Sequence, residues 1–358
     1  MICGIVGPRL SGKSTLFSIL TGVEAPAEGG KRETQRGVAK LPDYRLQKMA
    51  DVWQCTKLVY STVEYVDIPG IASKKEGESP YPAQYLADLR AVDMLALVVR
   101  DFDNPVVPPP SGVVDPENDL IEASLEFVIN DLDVIEKRLN RVSKLHDKES
   151  KAETELLEKC KAWLADEKPL RDLDLSKDDL KNLRGFSFLS MKPLLVVLNV
   201  GEENASEGND KLVALQKAVS NLGAGVEWTA IAAGIEHEIS TLDPEERKPF
   251  LEELGFDLPA LDRVIKATFR LLGLSTFLTA GRKETRAWTI PANATALQAA
   301  RVIHEDLARG FIRSEVYYWE DLLKAGSEVQ LKKEGKMRLE GKDYVVQDGD
   351  VLTIRFNV

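Results

Sequence analysis

The sequence predicts an α/β protein whose mainly parallel sheet carries helices on both faces. Residues 93–99 and 193–198 are apolar runs without polar alternation, as in strands that are buried on both faces. A third apolar run, residues 2–6, leads into a glycine-containing turn and then into a helical pattern. At 358 residues the chain exceeds the usual size of one hydrophobic core, so we expect two or three domains.

The composition excludes several classes of protein. The apolar fraction is 44%, and no apolar run approaches the roughly 20 residues that span a bilayer. Cys3, Cys55 and Cys160 are odd in number and far apart, which indicates thiols in a reducing compartment and argues against a disulfide framework or a zinc site. The chain starts directly with its first strand pattern and shows no leader. We therefore expect a cytoplasmic protein without a membrane anchor.

The turn after the first strand has the pattern of a phosphate-binding loop, G-x-x-x-x-G-K-S. In such a loop, backbone N–H groups and the N-terminus of the next helix converge on a phosphate chain. Lys13 would contact the β- and γ-phosphates as a catalytic residue, and Ser14 would ligate Mg²⁺. A chance match in an ordinary turn is the alternative, and the flanking strand and helix argue against it. The predicted phosphate-side residues are Gly7, Arg9, Leu10, Ser11, Gly12, Lys13, Ser14 and Thr15.

A second phosphate-side motif lies about fifty residues further on. Residues 63–66 predict a strand that ends in a D-x-x-G pattern, from Asp67 to Gly70. Asp67 would hold Mg²⁺, usually through water, and the Gly70 N–H would donate to the γ-phosphate. Thr34 is the hydroxyl residue of the preceding polar loop that could complete the magnesium shell, and a solvated loop threonine is an equally good interpretation.

The residue after this glycine bears on the rate of hydrolysis. Signalling GTPases have a glutamine here that orients the attacking water, whereas this chain has Ile71. A hydrocarbon side chain cannot hydrogen-bond a water molecule. We therefore predict slow intrinsic hydrolysis, with the water positioned by another group or by a partner that remodels residues 72–85. The predicted catalytic residues are Lys13, Gly70 and Ile71.

The second buried run ends in Asn199, Val200 and Glu202, where guanine-binding G domains carry N-K-x-D. In those domains a short carboxylate accepts from both N1–H and the 2-amino group of guanine. The longer Glu202 and the apolar Val200 should both weaken that selectivity, so the sequence favours ATP over GTP. An ordinary strand-end turn at Asn199 is the alternative. Ala232, at the next strand-end loop, is a further base-side candidate.

Between the two buried runs, residues 118–192 are rich in charge and in helix formers, which predicts a helical insertion. Apolar residues recur at spacings of four and three from Ile121 to Val142, and the pattern resumes from Leu156 to Trp163. This spacing predicts an antiparallel coiled-coil hairpin. The simpler interpretation is a seam that packs only on itself, and a partner surface on the charged faces is the alternative. The nucleotide-binding domain then comprises residues 1–117 and 193–275.

Residues 276–358 predict strands wrapped on one helix, as in a ubiquitin-like β-grasp domain. Residues 278–358 hold 13 Lys+Arg and 12 Asp+Glu, whereas the rest of the chain holds 34 and 46, so the charge favours this end for any RNA contact. A basic cluster here could meet phosphates or could be a solvated lysine-rich loop. The expected strands are residues 285–290, 314–318, 344–346 and 351–356, with a helix at 296–307. The cluster comprises Lys332, Lys333, Lys336, Arg338 and Lys342.

With these residues in view, the chain resembles the YchF or Obg-like ATPase family, translation-associated P-loop proteins of the TRAFAC class. The resemblance spans nearly the whole chain. It departs from the family at residues 8–11, where the loop commonly reads L-P-N-V, and at residues 74–80, which indicates a divergent member. The matching segments are residues 42–46, 67–71, 279–281, 284–289, 310–313 and 341–358.

The resemblance implies a G domain with a helical insertion and a C-terminal TGS domain of the β-grasp type. It also implies a preference for ATP through an N-x-x-E motif, with Asn199 and Glu202 as the base-side pair, and binding to ribosomes. The implied function is a monomeric, Mg²⁺-dependent ATP-hydrolysing switch whose coiled coil and TGS domain contact the ribosome, rRNA or tRNA. A GTPase, and a ribosome-binding scaffold that does not hydrolyse its nucleotide, are the alternatives.

Overall fold

The computed structural model describes residues 1–24, 34–69, 82–142, 148–219, 222–242, 246, 249 and 260–357. The chain divides into two compact units. Unit 1 consists of Met1–Val38 and Glu64–Leu271, and unit 2 consists of Ala39–Val63 and Leu272–Val358. In the described part of the chain, no helix is long and apolar enough to cross a membrane.

Unit 1 is built on a sheet whose strand order is β2-β4-β1-β5-β6-β7. These strands are β1 (Ile2–Val6), β2 (Gln35–Lys40), β4 (Thr62–Asp67), β5 (Met94–Asp101), β6 (Leu194–Val200) and β7 (Val226–Ile231), and β3 (Leu58–Val59) belongs to the sheet of unit 2. β1 pairs in parallel with β4 and β5, as β6 does with β5 and β7. The predicted, mainly parallel sheet is therefore confirmed. β5 and β6 are buried along almost their whole length, which is why their sequences lack polar alternation.

Helices cover this sheet. Those of unit 1 are α1 (Lys13–Thr21), α3 (Ala83–Ala91), α4 (Pro116–Val142), α5 (Lys148–Ala165), α6 (Lys177–Leu183), α7 (Gly208–Ala218), α8 (Ala233–Thr241) and α9 (Ala260–Leu271), and α2 (Tyr44–Trp53) belongs to unit 2. The amphipathic α9 buries Val264 and Ile265 almost completely, and Thr268 accepts a buried hydrogen bond from the Tyr65 hydroxyl of β4 at 3.0 Å. An aspartate followed by proline, Asp243–Pro244, predicts the start of a further helix, and this pair lies outside the described residues.

The insertion contains the expected helical hairpin, α4 and α5, with Arg138 of α4 bonded to Glu153 of α5 at 2.7 Å. The predicted seam begins too early, because Ile121 is 39% exposed. The first turns of α4 instead pack on the unit 1 core through Leu120 and Phe127. The seam against α5 and its neighbours starts at Val128, two steps later in the predicted series, and includes Ile135, Leu139, Leu157 and Cys160.

A buried carboxylate attaches this insertion to the sheet. Asp131 of α4 is fully buried and accepts hydrogen bonds from the backbone N–H groups of Leu189 and Ser190 and from the Ser190 hydroxyl, at 2.7–2.8 Å. Burial raises the pKa of Asp131 to about 6. Because Leu189 and Ser190 directly precede β6, this contact fixes α4 against the entry to a central strand.

Unit 2 has the β-grasp arrangement that the sequence predicts. Its sheet has the order β11-β10-β12-β8-β9-β3, in which β12 runs parallel to β8 and antiparallel to β10. Its strands after β7 are β8 (Leu274–Thr279), β9 (Thr285–Pro291), β10 (Phe311–Tyr318), β11 (Arg338–Glu340) and β12 (Asp350–Phe356). Its helices after α9 are α10 (Ala296–Ile303), α11 (Glu305–Arg309), α12 (Trp319–Ala325) and α13 (Glu328–Lys333).

Two of the elements predicted for unit 2 differ in the structure. Residues 344–346 do not form a strand, because Val345 makes only an isolated bridge with Thr295. The helix expected at residues 296–307 is divided at His304, whose extended backbone ends α10 and begins α11. Residues 342–346 instead bond to the start of the helix, where the Ala296 N–H donates to the Tyr344 carbonyl oxygen.

The segment Ala39–Val63 departs from the predicted domain boundaries. The sequence places it in the nucleotide-binding domain, whereas the structure groups it with unit 2. β3 pairs in parallel with β9, and α2 buries Leu46 and Met49 in a cluster with Leu278 and Tyr317. Arg45 at the start of α2 donates to Asp348 at 2.9 Å. A helix and a strand from the first half of the chain are thus part of the core of the C-terminal unit.

Candidate nucleotide-binding site

The phosphate-binding loop runs from the end of β1 to the start of α1. Gly7 and Gly12 have positive φ angles of 137° and 95°, which favour glycine. A Cβ atom on Gly7 would collide with the Val98 carbonyl oxygen, and one on Gly12 would collide with the Asn199 side chain. Leu10 also has a positive φ angle, 63°, although it carries a side chain. The two motif glycines are therefore required by the path of the backbone.

Lys13 lies within this loop. Its side chain is only 5% exposed, and its ammonium group donates a hydrogen bond to the Pro8 carbonyl oxygen. No side chain caps the N-terminus of α1, where Gly12 occupies the cap position. The first N–H groups of α1 and the positive end of its dipole are therefore directed at the loop, as the motif predicts.

The structure brings two of the predicted magnesium ligands together. The Ser14 hydroxyl donates to Asp67 Oδ2 at 2.6 Å. Asp67 is 7% exposed, and its other carboxylate oxygen, Oδ1, is buried and has no hydrogen-bond partner among the described residues. A buried acceptor without a donor is unfavourable unless a cation or water reaches it. A hydroxyl beside a carboxylate is a donor set that Mg²⁺ accepts, so these residues fit the ion.

The remaining phosphate-side candidates are placed differently. The Thr34 hydroxyl donates to Asp88 of α3 at 2.5 Å, so in this structure it is bound to a carboxylate and not to the Ser14–Asp67 pair. Gly70 and Ile71 lie outside the described residues, as does most of the polar loop before Thr34. Their predicted roles stay predictions.

Asn199, at the end of β6, connects the two sides of the site. Its side-chain amide donates to the Ser11 carbonyl oxygen at 3.0 Å, and its carbonyl oxygen accepts from the Ala233 N–H at 3.0 Å. Asn199 is 3% exposed. It therefore holds the phosphate-binding loop against the start of α8, which the sequence pattern alone does not reveal.

The other base-side candidates divide into two groups. Glu202 is exposed, and its Oε1 atom lies where a Cβ atom on Gly234 would approach it to 2.5 Å. Ala232 directly precedes α8, so Glu202 and the loop at Ala232 occupy the same edge of the sheet. Val200, in contrast, is buried in the core of unit 1. The Val200 side chain therefore packs in the core, and of these two residues only Glu202 offers a polar group.

Arg100 was not among the predicted site residues. It is the penultimate residue of β5, is 3% exposed, and donates to three carbonyl oxygens: Leu10 at 3.2 Å, Phe102 at 2.9 Å and Val107 at 2.8 Å. The available signal was a charged residue at the end of an otherwise apolar buried run. That signal is weak, because strands often end in a charged residue.

A cavity of about 470 Å³ adjoins the phosphate-binding loop. Its lining includes Gly7, Arg9, Tyr85, Arg100 and Asp119, so it extends from the loop to the first turn of α4. Burial, followed by two neighbouring carboxylates, raises the pKa of Asp119 to about 6. The predicted loop residue Arg9 is exposed beside this cavity.

These features define a P-loop NTPase with a GTPase-type nucleotide-binding domain. A family described as "50S ribosome-binding GTPase" matches residues 2–157. A second family, YchF-GTPase_C, described as "Protein of unknown function (DUF933)", matches residues 274–357.

Full-length comparisons identify the family. The chain is 42% identical to the "Ribosome-binding ATPase YchF" of Escherichia coli O157:H7, over 99% of both chains. It is 40% identical to the protein of that name from Bacillus subtilis (strain 168), over 100% of both. The solved structure of the Schizosaccharomyces pombe YchF GTPase matches with a TM-score of 0.86 and 26% identity, over 99% of this chain and 97% of that one. The chain belongs to the YchF family, which confirms the resemblance seen in the sequence.

Proposed function

We propose that this chain is a nucleotide-dependent switch that binds Mg²⁺ and ATP, hydrolyses the ATP slowly and associates with the ribosome. The observation that carries the proposal is the Ser14–Asp67 pair next to a lysine-bearing phosphate loop, with one buried carboxylate oxygen that has no partner in the part of the chain that the structure describes. Relatives with about 40% identity over the full length bear the name ribosome-binding ATPase. Both the site and the relatives' names support the binding of a nucleoside triphosphate and argue against a purely structural domain.

On the phosphate side, the N–H groups of residues 7–15 and the N-terminus of α1 would bind the phosphate oxygens. Lys13 would exchange its contact with the Pro8 carbonyl for the β- and γ-phosphates. Ser14 and Asp67 would hold Mg²⁺, which supplies a positive charge against the phosphates. Thr34 would join this shell only after it leaves Asp88.

On the base side, the geometry supports adenine. Glu202 is the exposed carboxylate at the loop that frames the base, and Asn199 fixes that loop to the phosphate side. A glutamate reaches further than the aspartate of guanine-binding domains, and Val200 is buried where those domains have a lysine. Adenine offers one amino donor and an N1 acceptor, so replacing the aspartate and the lysine should weaken the binding of adenine less than that of guanine. GTP is the alternative nucleotide, because the solved structure from Schizosaccharomyces pombe is titled a YchF GTPase.

The experiment is a titration of the purified chain with labelled ATP and GTP in the presence of Mg²⁺. We expect ATP to bind more tightly than GTP. Glu202→Asp should move the affinity ratio towards GTP, because it restores the shorter carboxylate. The matched control is Glu203→Asp, the same change at the adjacent exposed glutamate, which should leave the ratio unchanged. No binding of adenine nucleotides, or much tighter binding of GTP by the native chain, would contradict the proposal.

We propose the ribosome as the partner, because the relatives are named ribosome-binding ATPases. We also propose a cytoplasmic location and a monomeric state. The helical insertion and unit 2 are the proposed contacts with rRNA or tRNA. Part of the basic cluster of unit 2 is already paired: Lys336 lies 3.3 Å from Asp321, and Arg338 lies 3.2 Å from Asp350. RNA would have to compete with these carboxylates for the basic side chains, so we expect a contact that weakens with salt.

A further inference from the structure

We propose that Arg100 is a positioning residue of the nucleotide site, whose guanidinium holds the phosphate-binding loop in the conformation that receives the triphosphate. The inference rests on the proposed function, because it concerns the same site. It adds a residue that lies outside the phosphate-loop, D-x-x-G and base-side motifs.

The first argument is the backbone of the loop. Leu10 has a φ angle of 63°, a left-handed conformation that residues with a side chain adopt at a cost. Such a conformation persists only where the surroundings hold it. Arg100 Nη1 donates to the carbonyl oxygen of this residue at 3.2 Å. The contact fixes the direction of the Leu10 carbonyl, and with it the direction of the N–H group of the next residue, Ser11, within the phosphate-binding turn.

The second argument is that the guanidinium is itself fixed. Its other nitrogens donate to the carbonyl oxygens of Phe102 at 2.9 Å and Val107 at 2.8 Å. The guanidinium carbon also lies 4.1 Å from the centre of the Phe102 ring. Arg100 is 3% exposed. A planar group held at several nitrogens and on one face is a rigid reference point, which a lysine could reproduce only in part.

The third argument is charge. The hydrogen-bond partners found for Arg100 among the described residues are carbonyl oxygens, which orient the guanidinium, and the neighbouring carboxylate of Asp103 favours its charged form. An arginine stays protonated even where burial disfavours its charge. A positive charge in a buried position next to the loop favours the entry of a polyphosphate more than an exposed one would. Arg100 thus contributes to the backbone conformation of the loop and to the positive electrostatic potential beside it.

The test uses the full chain with Arg100→Gln and Arg100→Lys, and Arg171→Gln as the matched control. Arg171 is a partly buried arginine of unit 1 that also donates to carbonyl oxygens, those of Lys192 at 3.2 Å and Leu222 at 3.0 Å. Its partners precede β6 and β7, away from the residues of the nucleotide site. Arg100→Gln and Arg171→Gln should therefore both lower the stability of the chain, but only Arg100→Gln should weaken nucleotide binding.

The readouts are the Kd for ATP with Mg²⁺ and the midpoint of urea unfolding without nucleotide. Loss of a hydrogen bond from a charged donor corresponds to about a tenfold change in an equilibrium constant or more. We expect Arg100→Gln to weaken ATP binding by about tenfold or more, with Arg100→Lys intermediate and Arg171→Gln at the native affinity. KM should rise more than kcat falls, because the loop binds phosphates in the ground state as well.

Two results would overturn the inference. One is native affinity in both Arg100 variants, and the other is an equal loss of affinity in Arg171→Gln, which would assign the effect to general destabilisation. If Arg100→Gln does not fold, the comparison of Arg100→Lys with Arg171→Lys decides by the same criteria. A native chain that binds no nucleotide would refute the proposed function instead, so the two failures are distinguishable.

Discussion

At the scale of single residues, the site shows how one side chain can serve two loops. Asn199 occupies the place where guanine-binding domains begin their base motif, yet its donor and its acceptor both contact the protein backbone. A Cβ atom on Gly12 would collide with it, so the second motif glycine is also explained by this asparagine. The phosphate side and the base side are therefore joined before any ligand binds.

Ile71 yields the prediction for hydrolysis at this scale. Because its side chain cannot orient water, we expect the native chain to hydrolyse bound ATP more slowly than about 1 s⁻¹ without a partner, and Ile71→Gln to be faster. Single-turnover phosphate release, measured with and without ribosomes, checks both statements. Native turnover at or above about 1 s⁻¹ in the absence of ribosomes would show that another group already positions the water.

How much of the site the sequence predicts depends on the kind of residue. Lys13, Ser14 and Asp67 belong to motifs with fixed spacing, and the structure brings them together. Arg100 and the second contact of Asn199 were not predictable, because they depend on which loops the sheet places side by side. Local pattern carries no information about such neighbours.

At the scale of helices and strands, burial decided what could be predicted. β5 and β6 were recognisable because both faces are covered, and α4 because its apolar spacing is regular. β8 was missed because only Leu272 and Gly273 separate it from α9, without a cluster of turn residues. β11 was missed because its three residues include two charges. An amphipathic helix such as α2 reveals that it buries one face, but not against which sheet.

The attachment of α4 through Asp131 yields a prediction of pH dependence. The pKa of about 6 lies above the ordinary value of about 3.9, so the native state binds this proton more tightly than the unfolded chain does. The free energy of unfolding should therefore fall as the pH rises from about 4 to about 6, by roughly 2–3 kcal/mol from this group. Urea unfolding at a series of pH values measures it.

The variant for this experiment is Asp131→Asn, which should lose that part of the pH dependence in addition to a constant cost from altered hydrogen bonds. Asp133→Asn is the control on the same helix, because Asp133 is exposed and pairs with Lys137 at 2.6 Å. It should retain the native pH profile. Identical slopes in the native chain and Asp131→Asn would show that Asp131 does not titrate in this range.

At the scale of the whole molecule, the order of the segments along the chain does not match their grouping into the two units. Residues 39–63 lie between two strands of the first sheet in sequence, yet they complete the core of unit 2. Leu46 and Met49 are fully buried there, in a cluster with Tyr317 and Trp319. Unit 2 therefore lacks part of its core when only its C-terminal residues are present.

A comparison of two fragments tests this statement. Residues 272–358 alone should be markedly less stable than the same residues joined through a flexible linker to residues 39–63, because removing two buried apolar side chains alone costs about 4–8 kcal/mol in typical cores. Urea unfolding followed by tryptophan fluorescence measures the difference, since Trp319 belongs to that cluster. Leu46→Ala in the joined fragment is the internal control and should give an intermediate stability. Equal stability of both fragments would contradict the assignment.

The interleaving of residues 39–63 with unit 2 also bears on how such a chain can change by recombination. A gene rearrangement that replaced everything after residue 271 would import a foreign sheet without the helix and strand that complete it. Lineages should therefore exchange both stretches together or neither, and replacements at Leu46 or Met49 should be matched by compensating ones around Tyr317. The two segments form one packing unit, although more than two hundred residues separate them in the chain.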